Sequence, residues 1–430
     1  MLKSELGQIE LPAEGAVIVC GGGAAGIAAA LAAARAGAEV LLLEQSPAIG
    51  GTVANALIHT LGGLYDSAGE IINDGLPAEL IDRLQRADSR TGRRKLGRAF
   101  VLNVCPRVYQ SAVSRWLAEC PQVRVLTSVR VTGVRRAGDR LVGLVALAGS
   151  RSLSLRPRAV IDATGTAAVT RLIDPSLVID DGPRSAGGWI FRLSNVALGA
   201  LDFPKGVGLV RDLRAATAAG DLPPLASHAW LDAGVAGDQV YVKLMVPIDD
   251  DSLNPEAPAK MSGRTPSLAL QASMTQNAIV TYLSRRPDFA RAAVTLTGSL
   301  GVRDGGRICG RYTLTADDVR QGRKFADAAC GCAWPIEYWD AERGVSVEYL
   351  PPGVQYDVPL RALQVNGIDN FWVAGKCLSA DRWAHASARV AGTCWAMGQA
   401  VGQAAAEQSR VGCAHLPSEN NWWAQPTLQP

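Results

Sequence analysis

The residues with the clearest chemical meaning are a set of glycines and one acid. The apolar run Val17-Ile18-Val19-Cys20 stops abruptly at Gly21-Gly22-Gly23-Ala24-Ala25-Gly26, and an alanine-rich segment follows as far as Gly37. That order predicts strand, phosphate-binding turn and helix. Gly21 permits the tight turn, Gly23 lets the backbone approach a pyrophosphate, and Gly26 lets the helix pack closely on the strand. Ala24 and Ala25 open the helix, so its N-terminus faces the negative charge. A second β-type run ends in Glu44, 18 residues after Gly26, where a carboxylate can hold a ribose hydroxyl. From Gln45 the chain loops to Gly50-Gly51-Thr52, whose paired glycines allow the backbone to run beside a bound cofactor. Groups for acid–base work are few. Of the four histidines, His59 and His385 sit in motif-like surroundings, whereas His228 and His415 do not.

The framework for these groups is large. At 430 residues and 48% hydrophobic, the chain exceeds the size at which single cores usually split, so two connected domains are expected. A net charge of +3, with scattered Lys and Arg, gives no basis for a nucleic-acid partner. Residues 1–15 lack the pattern of a secretion signal. The apolar window 24–43 is broken by Arg35, Gly37 and Glu39, which rules it out as a comfortable membrane span. A cytoplasmic protein with a small-molecule substrate and no membrane partner is expected, and assembly as a homodimer stays open. The nine cysteines form no CxxC pair, so free thiols and no metal site are expected, even at Cys330-Gly331-Cys332. The acidic triplet Asp249-Asp250-Asp251 and the basic triplet Arg93-Arg94-Lys95 are expected to be solvated loops.

Further along, residues 82–98 are polar and are expected to form a surface excursion. Residues 106–119 space Val108, Ala112, Val113, Trp116 and Leu117 as an amphipathic helix. Short β-type runs at 123–126, 129–134, 141–148 and 152–155 predict an antiparallel meander, followed by a buried strand that breaks at Ala163-Thr164-Gly165. From residue 174 to 296 prolines multiply and long periodic segments are few, which predicts an inserted domain. Thr315 begins a helix, Phe371-Trp372-Val373-Ala374-Gly375 is a last strand, and a small-residue helix runs from near Gly392 to about Ala406.

Four blocks together resemble the FAD-dependent oxidoreductases that share the glutathione-reductase-like FAD-binding domain, most closely a bacterial single-chain family with a patterned C-terminal third. The first is Gly21 to Gly26 with Glu44 and Gly50-Gly51; the second is Val160 to Gly165. The third spans 301–335, with Gly310-Arg311-Tyr312-Thr313-Leu314-Thr315, and the fourth spans 356–406, with Pro359-Leu360-Arg361-Ala362-Leu363 and Ala388-Arg389-Val390-Ala391-Gly392-Thr393. The resemblance implies an α/β fold: a Rossmann-like FAD-binding domain with a parallel sheet and an antiparallel meander, plus an inserted mixed α+β substrate domain. The implied boundaries are 1–173 for the first part of the FAD domain (substrate-domain excursion at 60–105), 174–296 for the insert, 297–413 for the return and 414–430 for a tail. FAD is the implied cofactor, with adenine near Val129, diphosphate on Gly21 to Gly26 and ribose on Glu44. The flavin would lie between Gly50-Gly51 and the C-terminal block. Ala163, Gly165 and Gly375 belong to the matching strand ends. The last helix would point its N-terminus at Ala391, Gly392 and Thr393 toward the flavin pyrimidine edge, with Arg389 adding positive charge.

The resemblance also frames the chemistry. Relatives follow the arginine of the third block with a glutamate and another arginine, whereas here Arg303 precedes Asp304-Gly305-Gly306, which implies a rebuilt polar cluster near the flavin around Arg303. There is no second glycine fingerprint for a nicotinamide nucleotide and no cysteine between Cys20 and Cys105, which argues against a disulfide reductase. The run Trp334-Pro335-Ile336-Glu337-Tyr338-Trp339 is only superficially like the tryptophan motif of flavin halogenases. The expected activity is oxidation of a small organic metabolite by hydride transfer to flavin, reoxidised by oxygen or another acceptor. Alternatives are a flavin monooxygenase using NAD(P)H and oxygen, and a flavin subunit relaying electrons to a protein partner. His385, between the last strand and last helix, is the expected base. His59 resembles the segment through which succinate-dehydrogenase-type flavoproteins attach FAD, and is expected to line the flavin.

Overall fold

The computed structural model describes residues 15–179, 181–248 and 267–411. The segment 1–14, the triplet at 249–251, Cys413, His415 and the tail 414–430 lie outside the described residues.

Five parallel strands form the central sheet, in the order Phe371–Val373, Ala159–Asp162, Val17–Cys20, Val40–Glu44, Val123–Thr127. The first four are buried along their whole length, as apolar runs covered on both faces must be. The run at 123–126 was expected in the meander; instead Val123–Thr127 pairs parallel with Val40–Glu44. The helix Pro106–Ala118 just before it supplies the crossover that a parallel neighbour requires. The meander itself is Val129–Ala137, Arg140–Ala148 and Arg151–Leu155.

The helix Ala24–Arg35 is almost wholly buried because the last helix, Ala391–Val411, lies directly on it. A Cβ on Gly398 would stand 2.2 Å from the Ala25 carbonyl oxygen, and one on Gly402 would stand 2.3 Å from that of Ala29. The two backbones therefore touch, and only small residues permit this. At the end of its strand, Asp162 accepts bonds from Thr164 N, Val169 N and Thr170 N at 3.0–3.1 Å. This ties the sheet to the helix Ala168–Ile173.

Residues 82–98, expected as a surface excursion, belong to packed elements of the longer segment 60–105. Its helix Leu76–Ala87 buries Leu76, Leu80 and Leu84, and Arg93-Arg94-Lys95 lies in the strand Gly92–Leu96, paired with Ala99–Asn103. Arg94 reaches buried Asp232 at 2.6 Å, so the basic triplet is not a solvated loop. The insert carries a four-stranded antiparallel sheet in the order Trp230–Ala233, Val240–Val246, Gly187–Ser194, Ala293–Thr297. Two helices cover it, Lys205–Ala218 and Leu268–Ser284, and its core includes Phe191, Leu213, Val242, Ile279 and Phe289. The longer helix escaped the periodic pattern because Thr275 and Gln276 occupy its buried face. Among the described residues, no helix is long and apolar enough to cross a membrane.

Candidate functional site

A cleft of about 320 Å³ opens at the carboxyl ends of the parallel strands, where ligands of such sheets bind. One end is lined by Glu44, Gln45, Ser46, Val129 and Arg130, the middle by Gly21, Gly23, Ala24, Ala25, Gly51 and Thr52, and the far end by Gly165, Lys376, Arg389 and Ala391. Gly21 has φ +108°, and a Cβ there would lie 2.4 Å from the Ala163 carbonyl oxygen. Gly23 at the head of the helix Ala24–Arg35 contributes no capping side chain, and the first turn holds no acid. Its N–H groups are left for an anion. Glu44 accepts from Gly22 N at 2.6 Å and Ser46 N at 2.7 Å, which fixes both loops to one carboxylate. The carboxylate has further acceptor capacity for a ribose hydroxyl. These features fit a dinucleotide with its diphosphate in the middle of the cleft.

A second cavity, of about 390 Å³, meets the first at Thr52, Ala56, Val302, Lys376, Arg389 and Ala391. Its walls are aromatic and apolar, with Trp230, Trp334, Trp339, Val345, Val347 and Tyr349, and its charged groups include Arg303, Lys243 and Glu337. The Arg303 guanidinium lies 4.2 Å from the centre of the Trp339 ring and donates to the Ala186 carbonyl at 2.6 Å. Burial, and then the nearby Arg389, lower its pKa to about 9. Arg389 donates to the Glu337 carbonyl at 3.0 Å, and burial lowers its pKa too. At the junction, Lys376 Nζ donates to the Val302 carbonyl at 2.6 Å, and burial holds this amine below its ordinary 10.5.

Of the residues expected to hold the cofactor, Gly21, Gly23, Ala24, Ala25, Glu44, Gln45, Gly51, Thr52, Val129, Ala163, Gly165, Gly375, Arg389 and Ala391 line the cleft. Four do not. Gly26 is a packing glycine, since a Cβ there would fall 1.8 Å from the Gly21 oxygen, and Gly50 abuts Ala54. Gly392 donates its N–H to the Gly62 oxygen at 2.8 Å, and buried Thr393 packs on Gly63.

Arg303 lines the second cavity, but neither expected histidine lines either one. His385 was expected to act as a base. Asp381 caps the helix Arg382–Ala388 and the turn carries His385 inward, where its Nε2 donates to the Lys376 carbonyl at 3.0 Å. His59 was expected against the flavin. It is buried instead, stacked on Tyr241 at 3.8 Å and 3.4 Å from Asp232 Oδ2. Burial would raise Asp232, but Lys243, His59 and Arg94 more than offset this and hold its carboxyl well below the usual range. Lys376, Trp334, Glu337 and Trp339 were not singled out as site residues. Asp304 is buried beside Arg184 and Arg307, 4.0 and 3.7 Å away. The glycine after it is forced, since a Cβ on Gly305 would lie 2.8 Å from the Gly165 oxygen. The eight described cysteines are free, and among the described residues no group of three or more His, Cys, Asp or Glu could hold a metal ion.

Burial lowers both His59 and His385 from 6.5 to about 4. As pH falls below 6.5 the unfolded chain binds protons that the folded chain refuses until about pH 4. Stability is therefore full above that window and falls through it, by about 3 kcal/mol per histidine. Urea midpoints measured across this range should drop steadily, and His385→Gln should remove about half the slope. A flat profile would contradict the burial of neutral imidazoles.

A dinucleotide cleft whose far end forms the wall of a substrate-sized cavity is the arrangement of a Rossmann-like flavoenzyme, in which the cofactor's reactive end must face the substrate. The chain belongs to the FAD dependent oxidoreductase family, which it matches over residues 16–417, and its cofactor is FAD. Solved structures similar to it include a geranylgeranyl bacteriochlorophyll reductase-like protein from Thermoplasma acidophilum, at 12% identity and TM-score 0.43, covering 92% of this chain and 77% of that one. Another is BexE, from a study of oxidation during BE-7585A biosynthesis, at 15% identity and TM-score 0.46, covering 92% of this chain and 63% of that one. A third is the flavin-dependent brominase Bmp2, at 13% identity and TM-score 0.45, covering 92% of this chain and 79% of that one.

Proposed function

We propose that this protein oxidises a small organic metabolite by hydride transfer to FAD, with oxygen or another acceptor regenerating the cofactor. The observation that carries the reading is the junction of cleft and cavity at Lys376, Arg389 and Ala391, which lets a substrate lie directly against the flavin end. FAD supplies the hydride acceptor when bound. The chain's own residues supply the rest. Trp334, Trp339 and the apolar wall bind the substrate and exclude water. The substrate gives up a hydride from carbon and a proton from its hydroxyl or amine. Lys376 is placed to take that proton, because burial enlarges the fraction of neutral amine at a given pH. His385 holds the Lys376 carbonyl and so acts as a positioning residue.

Anaerobic mixing of the holoenzyme with alcohols, amines and amino acids tests this reading. Loss of oxidised-flavin absorption with substrate alone supports it. Reduction that requires NAD(P)H would favour a monooxygenase, and no reduction by either would favour a relay subunit.

A further inference from the structure

The cavity beside the flavin end carries positive charge that its walls leave unpaired. Arg303 and Arg389 both line it, and among the described residues neither forms an ion pair with a carboxylate. The protein acceptors that hold them are carbonyl oxygens, that of Ala186 for Arg303 and that of Glu337 for Arg389. Arg389 Nε is buried with no partner at all. Each guanidinium has five donors, so most remain available. The Arg303 guanidinium carbon sits 4.2 Å from the centre of the Trp339 ring, a cation–π contact that holds the group in place, and its remaining N–H groups suit a two-point hydrogen bond to a carboxylate. Lys243, the other cation on the far wall, is already paired with Asp232 at 3.2 Å. Glu337 attracts both arginines and offsets one of them, so with Lys376 counted as the neutral base of the proposed reaction these side chains leave one positive charge for a monoanion. The rest of the wall (Trp334, Trp339, Val345, Val347 and Tyr349) is aromatic and aliphatic, and the volume of about 390 Å³ lies in the range of small-ligand sites.

We infer that the substrate is a monocarboxylate with a ring-sized apolar body, its carboxylate held by Arg303 and Arg389 and its body against Trp334, Trp339 and Tyr349. This rests on the hydride-transfer reading for what happens next, but the anion site can be tested without it. Oxidised holoenzyme is titrated with benzoate, phenylacetate and cyclohexanecarboxylate and with their primary amides, and perturbation of the flavin absorption spectrum is followed. The acids should bind on the order of 100-fold more tightly than the amides, as expected for charge-assisted bonds to two arginines. Arg303→Met should bring acid affinity down to that of the amides while FAD content and amide affinity stay as in the wild type; Arg303→Lys should fall between. Equal affinity of acids and amides in the wild-type protein, or no perturbation by any acid up to its solubility, would overturn the inference whatever the variants do. Bleaching under anaerobic conditions reports separately on the redox reading. Acids that bind while no candidate bleaches the flavin leave the anion site standing and count against hydride transfer. Bleaching by neutral alcohols or amines without acid binding does the reverse.

Discussion

Lys376→Met is expected to retain FAD and to reduce its flavin with substrate on the order of 10² to 10⁴ times more slowly than the wild type, the usual contribution of a positioned acid–base group. Lys376 stands at the meeting of cleft and cavity, and burial pushes its amine below 10.5, toward the pH at which a neutral base is present. The sign of the pH dependence follows. Only the neutral amine accepts a proton, so the reduction rate of the wild type should rise with pH through one ionisation below 10.5 and then level off. The variant should lack that limb. Anaerobic stopped-flow reduction across pH measures both effects, and a variant that keeps the rising limb would assign the proton transfer elsewhere. His385→Gln can retain a donor to the Lys376 carbonyl and should leave the limb in place with a smaller loss of rate.

Gly21→Ala should yield a protein that purifies without FAD. The residue sits at φ +108°, and the added Cβ would be 2.4 Å from the Ala163 carbonyl oxygen, a backbone atom that cannot swing aside. The turn must shift, breaking the 2.7 Å bond from Gly21 N to the Leu43 oxygen that aligns turn and sheet. Strain of this kind costs about 3 kcal/mol, equivalent to about a 100-fold loss of FAD affinity if the holo conformation bears all of it. Gly23→Ala is the useful contrast, because its Cβ would meet nothing closer than Gly51 Cα at 3.8 Å. That variant should be as stable as the wild type without cofactor and still bind FAD weakly, since the methyl faces the diphosphate path. Flavin content after purification and reconstitution titrations distinguish the two.

How much of this could be read from the amino-acid order depends on whether the decisive contact is local. The strand, turn and helix at 17–35 and the acid at 44 were legible because each glycine's task is set by its immediate neighbours in the βαβ unit. Arg389 and Ala391 became legible only through resemblance to a family. Lys376 was missed because nothing around Gly375-Lys376-Cys377 marks it; its meaning comes from Val302, 74 residues away, and from two cavities that meet only in the folded chain. His385 was misjudged for the opposite reason. Its sequence position is suggestive, but the Asp381 cap sets the phase of a short helix and turns the ring away from the cleft. Val123–Thr127 looked like one more strand of a meander because short β runs carry no mark of parallel or antiparallel pairing. The aromatic wall at Trp334 and Trp339 was visible as a motif and set aside, since its role depends on which residues the folded chain brings to the cavity beside the flavin end.

The measurement that bears most directly on hydride transfer from substrate to FAD is reduction of the holoenzyme under strict anaerobiosis, with pyridine nucleotide as the variable. A ring-bearing carboxylate that also carries an oxidisable alcohol or amine carbon should bleach the flavin in a single phase in the absence of NAD(P)H, at a rate that saturates with substrate and is unchanged when NAD(P)H is added. Bleaching by NAD(P)H alone, with substrate changing only the rate of that step, would contradict the account.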